Sequence, residues 1–296
     1  MDLTEKLERI ASLIEGRLDA LLAPEPTASG QARLIEAMRY AALGGGKRLR
    51  PFLLIESARL FGVAEEEALN AAAALECVHC YSLVHDDLPC MDDDKMRRGR
   101  PTAHIAFGEA TAILAGDALL TLAFDILSDP RTHPEPGVRV ALIGLLAKAA
   151  GVGGMAGGQA LDLAAEGQSL GPMEVARMQA MKTGALFNFA CDAGAVLGGA
   201  DARAREALAA YASAFGQAFQ LADDLLDAEG DAAAMGKAAA KDAGRGKATL
   251  VALLGTDAAR ARLEALVDDA EAALARFGAR ALTLKQAARF IASRRA

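Results

Sequence analysis

The sequence has 296 residues, of which 53% are hydrophobic and 24% charged, and its formal net charge is -7 from 32 basic and 39 acidic side chains. This composition can supply a large buried core and argues against intrinsic disorder. The acidic balance argues against a general nucleic-acid binder, which needs a basic face, although a local basic cluster can still bind a small anion.

Helical periodicity dominates the chain, and no convincing alternating strand pattern occurs. The segment 1–22 predicts a charged amphipathic helix rather than a signal peptide, so we expect a cytoplasmic protein. The apolar stretch 110–127 contains Asp117 and Asp125, so no segment is expected to span a membrane. Breaks at Gly and Pro separate the predicted helices, which lie near residues 3–22, 31–43, 49–61, 65–88, 109–128, 137–150, 172–198, 202–228, 248–254, 257–277 and 281–294. We expect an all-α fold and a single domain over residues 1–296.

The four cysteines are predicted to be plain thiols. Cys77 and Cys80 have the spacing of a redox or zinc motif, but the sequence has no second pair at zinc spacing. The residues around them predict a long apolar helix. We therefore expect buried or partly buried thiols there rather than a metal or redox site.

A first acidic cluster follows an apolar helix. Five aspartates lie between His85 and Asp94. The C-terminal end of a helix already carries partial negative charge, so a positive group is expected to offset the repulsion. Pro89 is expected to end the helix, and Asp92 then falls in a turn from which it can point back toward Asp86.

A second acidic cluster lies within a predicted helix, at 219–227. Asp223 and Asp227 are four residues apart and share one helix face, with Gln220 one turn earlier. Both clusters offer only oxygen ligands, which suit a hard cation such as Mg2+ that shares its shell with phosphate and water. Either cluster alone could be a solvated acidic face. The presence of both favours a metal site.

Basic residues lie close to these clusters in the sequence. Lys47 and Arg50 follow three glycines at a predicted helix start, an arrangement suited to a diphosphate because exposed amides and cations converge. The segment is not a Walker loop, since arginine follows Lys47. Arg97 and Arg98 come directly after the first acidic cluster. Lys182 interrupts an apolar helix and needs a partner.

Taken in chain order, these elements resemble the trans-polyprenyl diphosphate synthases, and in particular the bacterial members that make farnesyl diphosphate. The resemblance extends over about residues 30–255 and includes both aspartate motifs, DDxxxxD and QxxDDxxD. It implies one bundle of long helices around a deep cavity, with the motifs facing across its mouth. It also implies a homodimer. The net charge and the interrupted apolar stretches argue against contacts with nucleic acid and with the membrane interior. The reaction that the resemblance implies is the head-to-tail condensation of isopentenyl diphosphate with dimethylallyl or geranyl diphosphate.

The resemblance also implies roles for individual residues. A cluster of about three Mg2+ ions would be held by Asp86, Asp87, Asp92, Asp223, Asp224 and Asp227. The allylic diphosphate would contact Arg97, Lys182, Lys237 and Lys247. Isopentenyl diphosphate would contact Lys47, Arg50, His79 and Arg98. Oxygens beside the developing carbocation would come from Thr183 and Gln220. The residues closest to the chemistry would be Asp86, Asp87, Lys182, Thr183, Gln220 and Asp223, with Gln159 and Asp162 on a helix near the site.

Product length is expected to depend on Tyr81 and its neighbour Ser82, which precede Asp86 by about one helical turn. A bulky tyrosine there resembles the farnesyl-producing members and would block a longer prenyl tail. A geranylgeranyl or geranyl diphosphate synthase is the alternative. A terpene cyclase binds one diphosphate and would not need Lys47, Arg50 and the pair Arg97 and Arg98. A non-catalytic subunit would lack one aspartate motif.

Overall fold

A computed structural model describes residues 2–23, 29–168, 170–234 and 250–293. Its α-helices are α1 Leu3–Leu21, α2 Ser29–Ala42, α3 Leu49–Arg59, α4 Glu65–Asp86, α5 Ala103–Phe107, α6 Glu109–Ser128, α7 Pro136–Ala150, α8 Met155–Ala164, α9 Pro172–Gln179, α10 Ala185–Leu197, α11 Ala202–Ala234, α12 Leu250–Leu254, α13 Thr256–Ala273 and α14 Leu282–Ala292. A π-helical turn, Ala180–Gly184, joins α9 to α10, and a 3-10 helix, Ala275–Ala281, precedes α14. The prediction of an all-α fold is confirmed in the described part of the chain, apart from one small hairpin.

The chain divides into two compact units. The first unit comprises residues 1–144 with 196–198, and the second comprises 145–195 with 199–296. The expectation of a single domain over residues 1–296 stays a prediction.

The first unit is built around α4, whose sequence is rich in small apolar residues. Every residue from 70 to 78 is buried, including the four consecutive alanines 71–74. A helix that is apolar on all faces has to be covered on all faces, and α1, α3 and α6 pack against it. The helix ends at Asp86. The first acidic cluster therefore begins at the end of a helix whose middle is packed on all faces.

A short antiparallel hairpin follows α4 and corrects the expectation that no strand is present. Its strands are β1 Met96–Arg97 and β2 Arg100–Pro101. The connecting residues Arg98 and Gly99 have φ values of 51° and 74°, as a type I′ turn requires. Strands of two residues are too short to show alternation in a sequence.

The start of α5 holds this hairpin in place. The Thr102 hydroxyl donates to the Asp94 carbonyl at 2.8 Å and lies 3.1 Å from Nδ1 of His104. Because the hydroxyl has one proton, Nδ1 of His104 carries the hydrogen and donates to Thr102. Both side chains are buried. This chain of hydrogen bonds ties the last residue of the first acidic cluster to α5.

The second unit is built around α11, which packs along α13 and against α14. Tyr211 is fully buried in the middle of α11 and donates to the Leu284 carbonyl at 2.8 Å. Phe215, one turn later, meets Phe187 of α10 edge to face at 5.2 Å. These contacts fix the part of α11 that leads to the second acidic cluster.

Two local differences from the predicted helices lie in the second unit. The predicted helix 172–198 contains a π-helical turn at 180–184. The predicted helices leave residues 151–171 as a connection, but α8 begins at Met155, within the glycine-rich part of this connection. A Cβ built on Gly158 would lie 2.1 Å from the Lys182 backbone nitrogen. These glycines are therefore used for close helix packing and not only for a turn.

By length and hydropathy alone, two helical stretches reach the range of membrane spans. Glu109–Ser128 has a mean hydropathy of 1.7 and Pro136–Ala164 one of 1.6. Packed helices of water-soluble proteins reach the same values. The expectation that no segment spans a membrane stays a prediction.

The cysteines match the expectation of plain thiols. Cys77, Cys80 and Cys191 are buried, Cys90 is exposed, and all four are free. Burial raises the pKa of the Cys80 thiol to about 12. A thiol with so high a pKa is neutral at physiological pH and is a poor nucleophile or metal ligand.

Candidate functional site

In the first unit, the acidic cluster folds back on the end of α4. The Asp92 backbone N–H donates to the Asp86 carbonyl at 2.8 Å. This turn brings the two residues together as the sequence predicted. Asp86 and Asp92 are both partly exposed, while Asp93 and Asp94 are exposed. The turn therefore places two partly exposed carboxylate residues beside one another.

Asp87 lies on the other side of the helix end and is paired with Arg97. The Arg97 guanidinium donates from Nε and Nη2 to Asp87 Oδ1 at 2.9 and 2.6 Å. The Asp87 side chain is only 4% exposed. Its hydrogen bonds raise the pKa of Arg97. Asp87 was predicted as a metal ligand and Arg97 as a diphosphate contact, and here each is the other's partner. The hairpin is thereby fixed against the end of α4.

The glycine-rich loop before α3 contacts the arginine of the hairpin turn. Arg98 donates to the Gly45 carbonyl. A Cβ on Gly46 would lie 2.6 Å from Nη1 of Arg98, so a larger residue there would displace the guanidinium from its present position. Lys47 lies next in the chain and is exposed. The structure thus brings the Gly44–Lys47 loop and Arg98 together, although they are about 50 residues apart in the sequence.

His79 and Arg50 lie beside one another in the first unit. Nη1 of Arg50 is 3.4 Å from Nε2 of His79. Arginine can only donate, so Nε2 accepts and Nδ1 carries the proton. Burial, and then the charge of Arg50, lower the pKa of His79 well below its usual value. His79 is therefore neutral at physiological pH.

Tyr81 and Ser82 occupy α4 one turn before Asp86. The Tyr81 ring meets the His85 ring edge to face at 5.7 Å, and the Ser82 hydroxyl donates to the His79 carbonyl at 2.9 Å. Burial and the charge of Asp86 raise the pKa of Tyr81. The phenol is therefore neutral, partly buried and close to the acidic cluster.

In the second unit, Lys182 lies in the π-helical turn. As predicted from the sequence, it has a partner for its charge, Asp162. Its Nζ is 2.6 Å from Oδ2 of Asp162 on α8, and both side chains are partly exposed. The close contact of Gly158 with the Lys182 backbone lets α8 come near enough for this pair. Asp162 therefore orients Lys182 while leaving part of the ammonium group accessible.

A chain of hydrogen bonds links the π-helical turn to α11. The Thr183 hydroxyl donates to Gln220 Oε1 at 3.2 Å, and Gln220 Nε2 donates to Asp224 Oδ1 at 2.9 Å. Gln179 Nε2 donates to the other oxygen of Asp224 at 3.1 Å. Burial raises the pKa of Asp224, and the two amide donors oppose that effect. Gln220 was expected on the stripe of Asp223, and its observed partner is Asp224.

On α11, Asp223 and Asp227 are more exposed to solvent than Asp224. Asp223 is partly exposed, Asp227 exposed and Asp224 buried. In both motifs, then, the second aspartate of the pair accepts protein donors, Asp87 from Arg97 and Asp224 from the two glutamines. The more exposed carboxylates of each motif are the first and the last.

These carboxylates fit Mg2+ by their chemistry. Among the described residues, no group of three or more His, Cys, Asp or Glu side chains is arranged to hold an ion unaided. Mg2+ in phosphoryl-binding sites is held by one or two carboxylates and completes its shell with substrate phosphates and water. The pairing of Asp86 with Asp92, and of Asp223 with Asp227 on one helix face, provides such partial sites.

The predicted residues therefore fall into two groups. In the first unit, the structure connects Arg98 with the loop of Lys47, Arg50 with His79, and Asp87 with Arg97. In the second unit, it connects Lys182 with Asp162, and Thr183 with Gln220 and Asp224. Lys237 and Lys247 lie outside the described residues. Gln159 is partly exposed, and its Oε1 atom is buried without a hydrogen-bond partner in the described part of the chain.

Sequence reasoning missed Gln179. It precedes Thr183 by four residues and so lies one helical turn earlier, which is the signal that could have identified it. Its role depends on a contact with α11, 45 residues away.

The sequence model of a family described as polyprenyl synthetase matches residues 31–279. A farnesyl diphosphate synthase of Escherichia coli (strain K12) is 48% identical over 277 residues, which are 93% of this chain and 92% of that protein. A chloroplastic geranylgeranyl pyrophosphate synthase of Catharanthus roseus is 41% identical, over 88% of this chain and 71% of that protein. A crystal structure of an FPP/GFPP synthase from Zymomonas mobilis matches with a TM-score of 0.89 and 47% identity, covering 98% of this chain and 99% of that chain. The residues matched by the family model include both aspartate motifs of this chain.

Proposed function

The chain belongs to the polyprenyl synthetase family, and we propose that it joins isopentenyl diphosphate head-to-tail to dimethylallyl and then geranyl diphosphate, giving farnesyl diphosphate and inorganic diphosphate. The observation that carries this proposal is the basic cluster in the first unit, beside the first aspartate motif. Arg98 reaches the loop of Lys47, and Arg50 reaches His79. A terpene cyclase binds one diphosphate and needs no such second set of cations.

The proposal assigns the first and last aspartates of each motif to Mg2+, with Asp87 and Asp224 holding the surrounding side chains in place. The ligands would be Asp86, Asp92, Asp223 and Asp227. When bound, Mg2+ neutralises charge on the allylic diphosphate and so favours its departure. The protein's own cations act in the same direction, Arg97 from the hairpin and Lys182 from the π-helical turn.

The remaining residues have positioning roles in this reaction. The C–O bond of the allylic diphosphate breaks, the double bond of isopentenyl diphosphate attacks the allylic carbon, and a proton leaves to the released diphosphate. Thr183 and Gln220 present oxygen atoms that stabilise developing positive charge. Lys182 is held by Asp162 and therefore does not have to reorganise when the leaving group becomes more negative.

The decisive experiment is turnover of radiolabelled isopentenyl diphosphate with three allylic primers: dimethylallyl, geranyl and farnesyl diphosphate. We expect dimethylallyl and geranyl diphosphate to be extended to fifteen carbons, and chelation of divalent metal to stop the reaction. Extension of farnesyl diphosphate would indicate a geranylgeranyl or longer synthase. Consumption of an allylic diphosphate without isopentenyl diphosphate would indicate a cyclase and contradict the proposal.

Lys47→Ala is expected to raise the KM for isopentenyl diphosphate by about 10-fold to 100-fold, because a charge-assisted hydrogen bond to a diphosphate is lost. The KM for geranyl diphosphate should change far less. Steady-state kinetics with each substrate varied in turn measures both. The matched control is Lys148→Ala, an exposed lysine on α7. Equal effects of Lys47→Ala on both KM values would contradict the assignment of two separate diphosphate sites.

We also propose a homodimer in which a second copy covers the exposed apolar side chains of α6 and α7 in the first unit. Ile113, Leu114 and Val140 are 43%, 55% and 67% exposed. Three large apolar side chains exposed on two of the most apolar helices are typical of an interface. In a dimer with twofold symmetry, this apolar surface of each subunit would be covered by the same surface of the other.

Light scattering should therefore give about twice the chain mass of 30.6 kDa at micromolar concentration. Leu114→Arg is expected to shift the protein toward the monomer, because it places a charge in an apolar interface. Leu282 of α14 has a similar exposure of 58%, so Leu282→Arg is the control and should leave the mass unchanged. A wild-type mass near that of one chain would rule out the dimer.

The proposal places the protein in the cytoplasm. The four cysteines are free thiols, as is usual for proteins in a reducing compartment. Its two substrates carry charged diphosphates and do not cross membranes unaided. Fractionation of the native host with an antibody would test this location.

A further inference from the structure

The loop between α2 and α3 has little stiffness of its own. Three glycines occupy positions 44–46, and Gly45 and Gly46 adopt φ values of 76° and 127°. Glycine gives a chain freedom that is lost only when other groups fix it. Lys47 lies in this loop and Arg50 in the first turn of α3. If these two cations bind one diphosphate, another part of the protein has to hold the loop.

Arg48 supplies that contact. Its side chain is completely buried, and it binds three other helices. Nη1 donates to Glu76 of α4 at 2.6 Å, and Nη2 donates to Glu15 of α1 at 3.0 Å and to the Ala42 carbonyl of α2 at 2.6 Å. Ala42 is the last residue of α2, so the guanidinium caps the helix that leads into the loop.

The backbone of Arg48 closes the other end of the loop. Its φ and ψ are 44° and 39°, a left-handed conformation that residues other than glycine rarely adopt. Its carbonyl accepts from the Phe52 N–H at 3.0 Å and so begins α3. The backbone of Arg48 therefore lies at the end of the loop, and its side chain binds the Ala42 carbonyl just before the loop begins. Such a strained conformation persists where surrounding contacts determine it.

The positive charge of the buried Arg48 side chain is stabilised by nearby carboxylates. Burial is the largest single effect and lowers the pKa of Arg48, but Glu76, Cys80 and Glu15 together outweigh it, so the pKa of Arg48 lies above its ordinary value. The Glu76 side chain is 2% exposed, whereas that of Glu15 is 40% exposed. Lysine could not replace the guanidinium, because a single ammonium group lacks the planar fork that reaches three acceptors.

We propose that Arg48, through Glu76 and Glu15, is a positioning residue that fixes Lys47 and Arg50 on either side of it in the geometry that binds isopentenyl diphosphate. The role in binding rests on the function proposed above. It also gives α1 a part in the reaction, since Glu15 lies before residue 31, where the match to the family begins. The flanking cations would bind the substrate, and Arg48 would not touch it.

Two variants and one control test this inference. Arg48→Lys keeps the positive charge and loses the planar guanidinium group. Glu15→Gln removes only the half-exposed partner, so it is expected to fold even if Arg48→Lys does not. The control is Arg17→Met, two residues along α1, which loses the 2.7 Å hydrogen bond from Nε to Asn70 of α4. The control weakens the docking of α1 without touching the loop.

The first readout, in substrate-free protein, is hydrogen exchange of the Leu43 and Phe52 backbone amides, which donate to the Arg39 and Arg48 carbonyls at the two ends of the loop. Both variants should exchange there about tenfold faster or more, and the control should match the wild type. The second readout is steady-state kinetics. The KM for isopentenyl diphosphate should rise by about tenfold or more in both variants, with kcat at saturation within about twofold.

Unchanged exchange and unchanged KM in the folded variants would overturn the inference. The same changes in Arg17→Met would also overturn it, because they would reflect the docking of α1 and not the contacts of Arg48. If the wild-type protein does not turn over isopentenyl diphosphate, the proposed function fails. The exchange experiment still decides whether Arg48 holds the loop in that case.

Discussion

Asp86→Asn is expected to lower turnover by at least about a thousandfold, which corresponds to about 4 kcal/mol of transition-state stabilisation. The same loss is expected for Asp223→Asn. Each change removes a carboxylate that we assign to Mg2+ and retains a side chain of similar shape. The departing diphosphate would then lack part of its charge neutralisation. Turnover with radiolabelled isopentenyl diphosphate over a range of Mg2+ concentrations measures the effect.

The fold of these variants should be unaffected. Asp86 lies at the C-terminal end of α4, where the helix already carries partial negative charge, so removing a carboxylate relieves repulsion. Thermal unfolding should show an equal or higher Tm. The matched control is Asp93→Asn, an exposed residue of the same turn with a φ of 53° that asparagine also adopts readily. Retention of more than about a tenth of the activity by Asp86→Asn, about 1.4 kcal/mol, would contradict the metal assignment.

Tyr81→Ala is expected to change the main product from fifteen carbons to twenty or more. Tyr81 lies one turn before Asp86 and packs edge to face against His85. A prenyl tail that extends along α4 from the first aspartate motif would end at this ring. One more five-carbon unit would gain about 4 kcal/mol of apolar burial at about 0.8 kcal/mol per carbon. Termination therefore requires a steric block, and alanine would remove it.

Chromatography of the dephosphorylated products measures this change. Tyr81→Phe is the control, because it keeps the bulk of the ring and loses only the hydroxyl. It should continue to release the fifteen-carbon product. An unchanged product distribution in Tyr81→Ala would mean that another side chain ends the tail.

Much of the fold was predictable because apolar residues in the long helices recur with clear helical periodicity. The apolar helix before Asp86 was predicted from its composition, and residues 70–78 of α4 are all buried. The i, i+4 spacing of Asp223 and Asp227 fixed their common helix face without any tertiary information. The partner required by Lys182 was also predictable, since a cation in an apolar stretch needs a counterion, and the structure supplies Asp162.

The features that escaped prediction depend on contacts between distant segments. The two-residue strands of the hairpin exist because Arg98 and Gly99 form a tight turn, which no periodicity reveals. The helix α8 begins within a glycine-rich stretch because Gly158 packs against the backbone of another segment. The sequence also does not show which carboxylate of each motif is held by protein donors. That distinction needs the position of Arg97 for Asp87, and the positions of Gln179 and Gln220 for Asp224.

The π-helical turn at Ala180–Gly184 has a consequence for insertions and deletions. Such a turn is an α-helix with one additional residue, which widens the backbone locally. Deleting one residue there would restore regular α-helix and leave the phase of α10 relative to α9 nearly unchanged, because the wide turn already absorbs the rotation of about 100° that one more residue adds to an α-helix. Phe187 would then keep its contact with Phe215. Among related sequences, single-residue gaps should therefore occur at this turn or in connections such as 129–135, and should avoid the regular helices α9 and α10, where a deletion changes the phase.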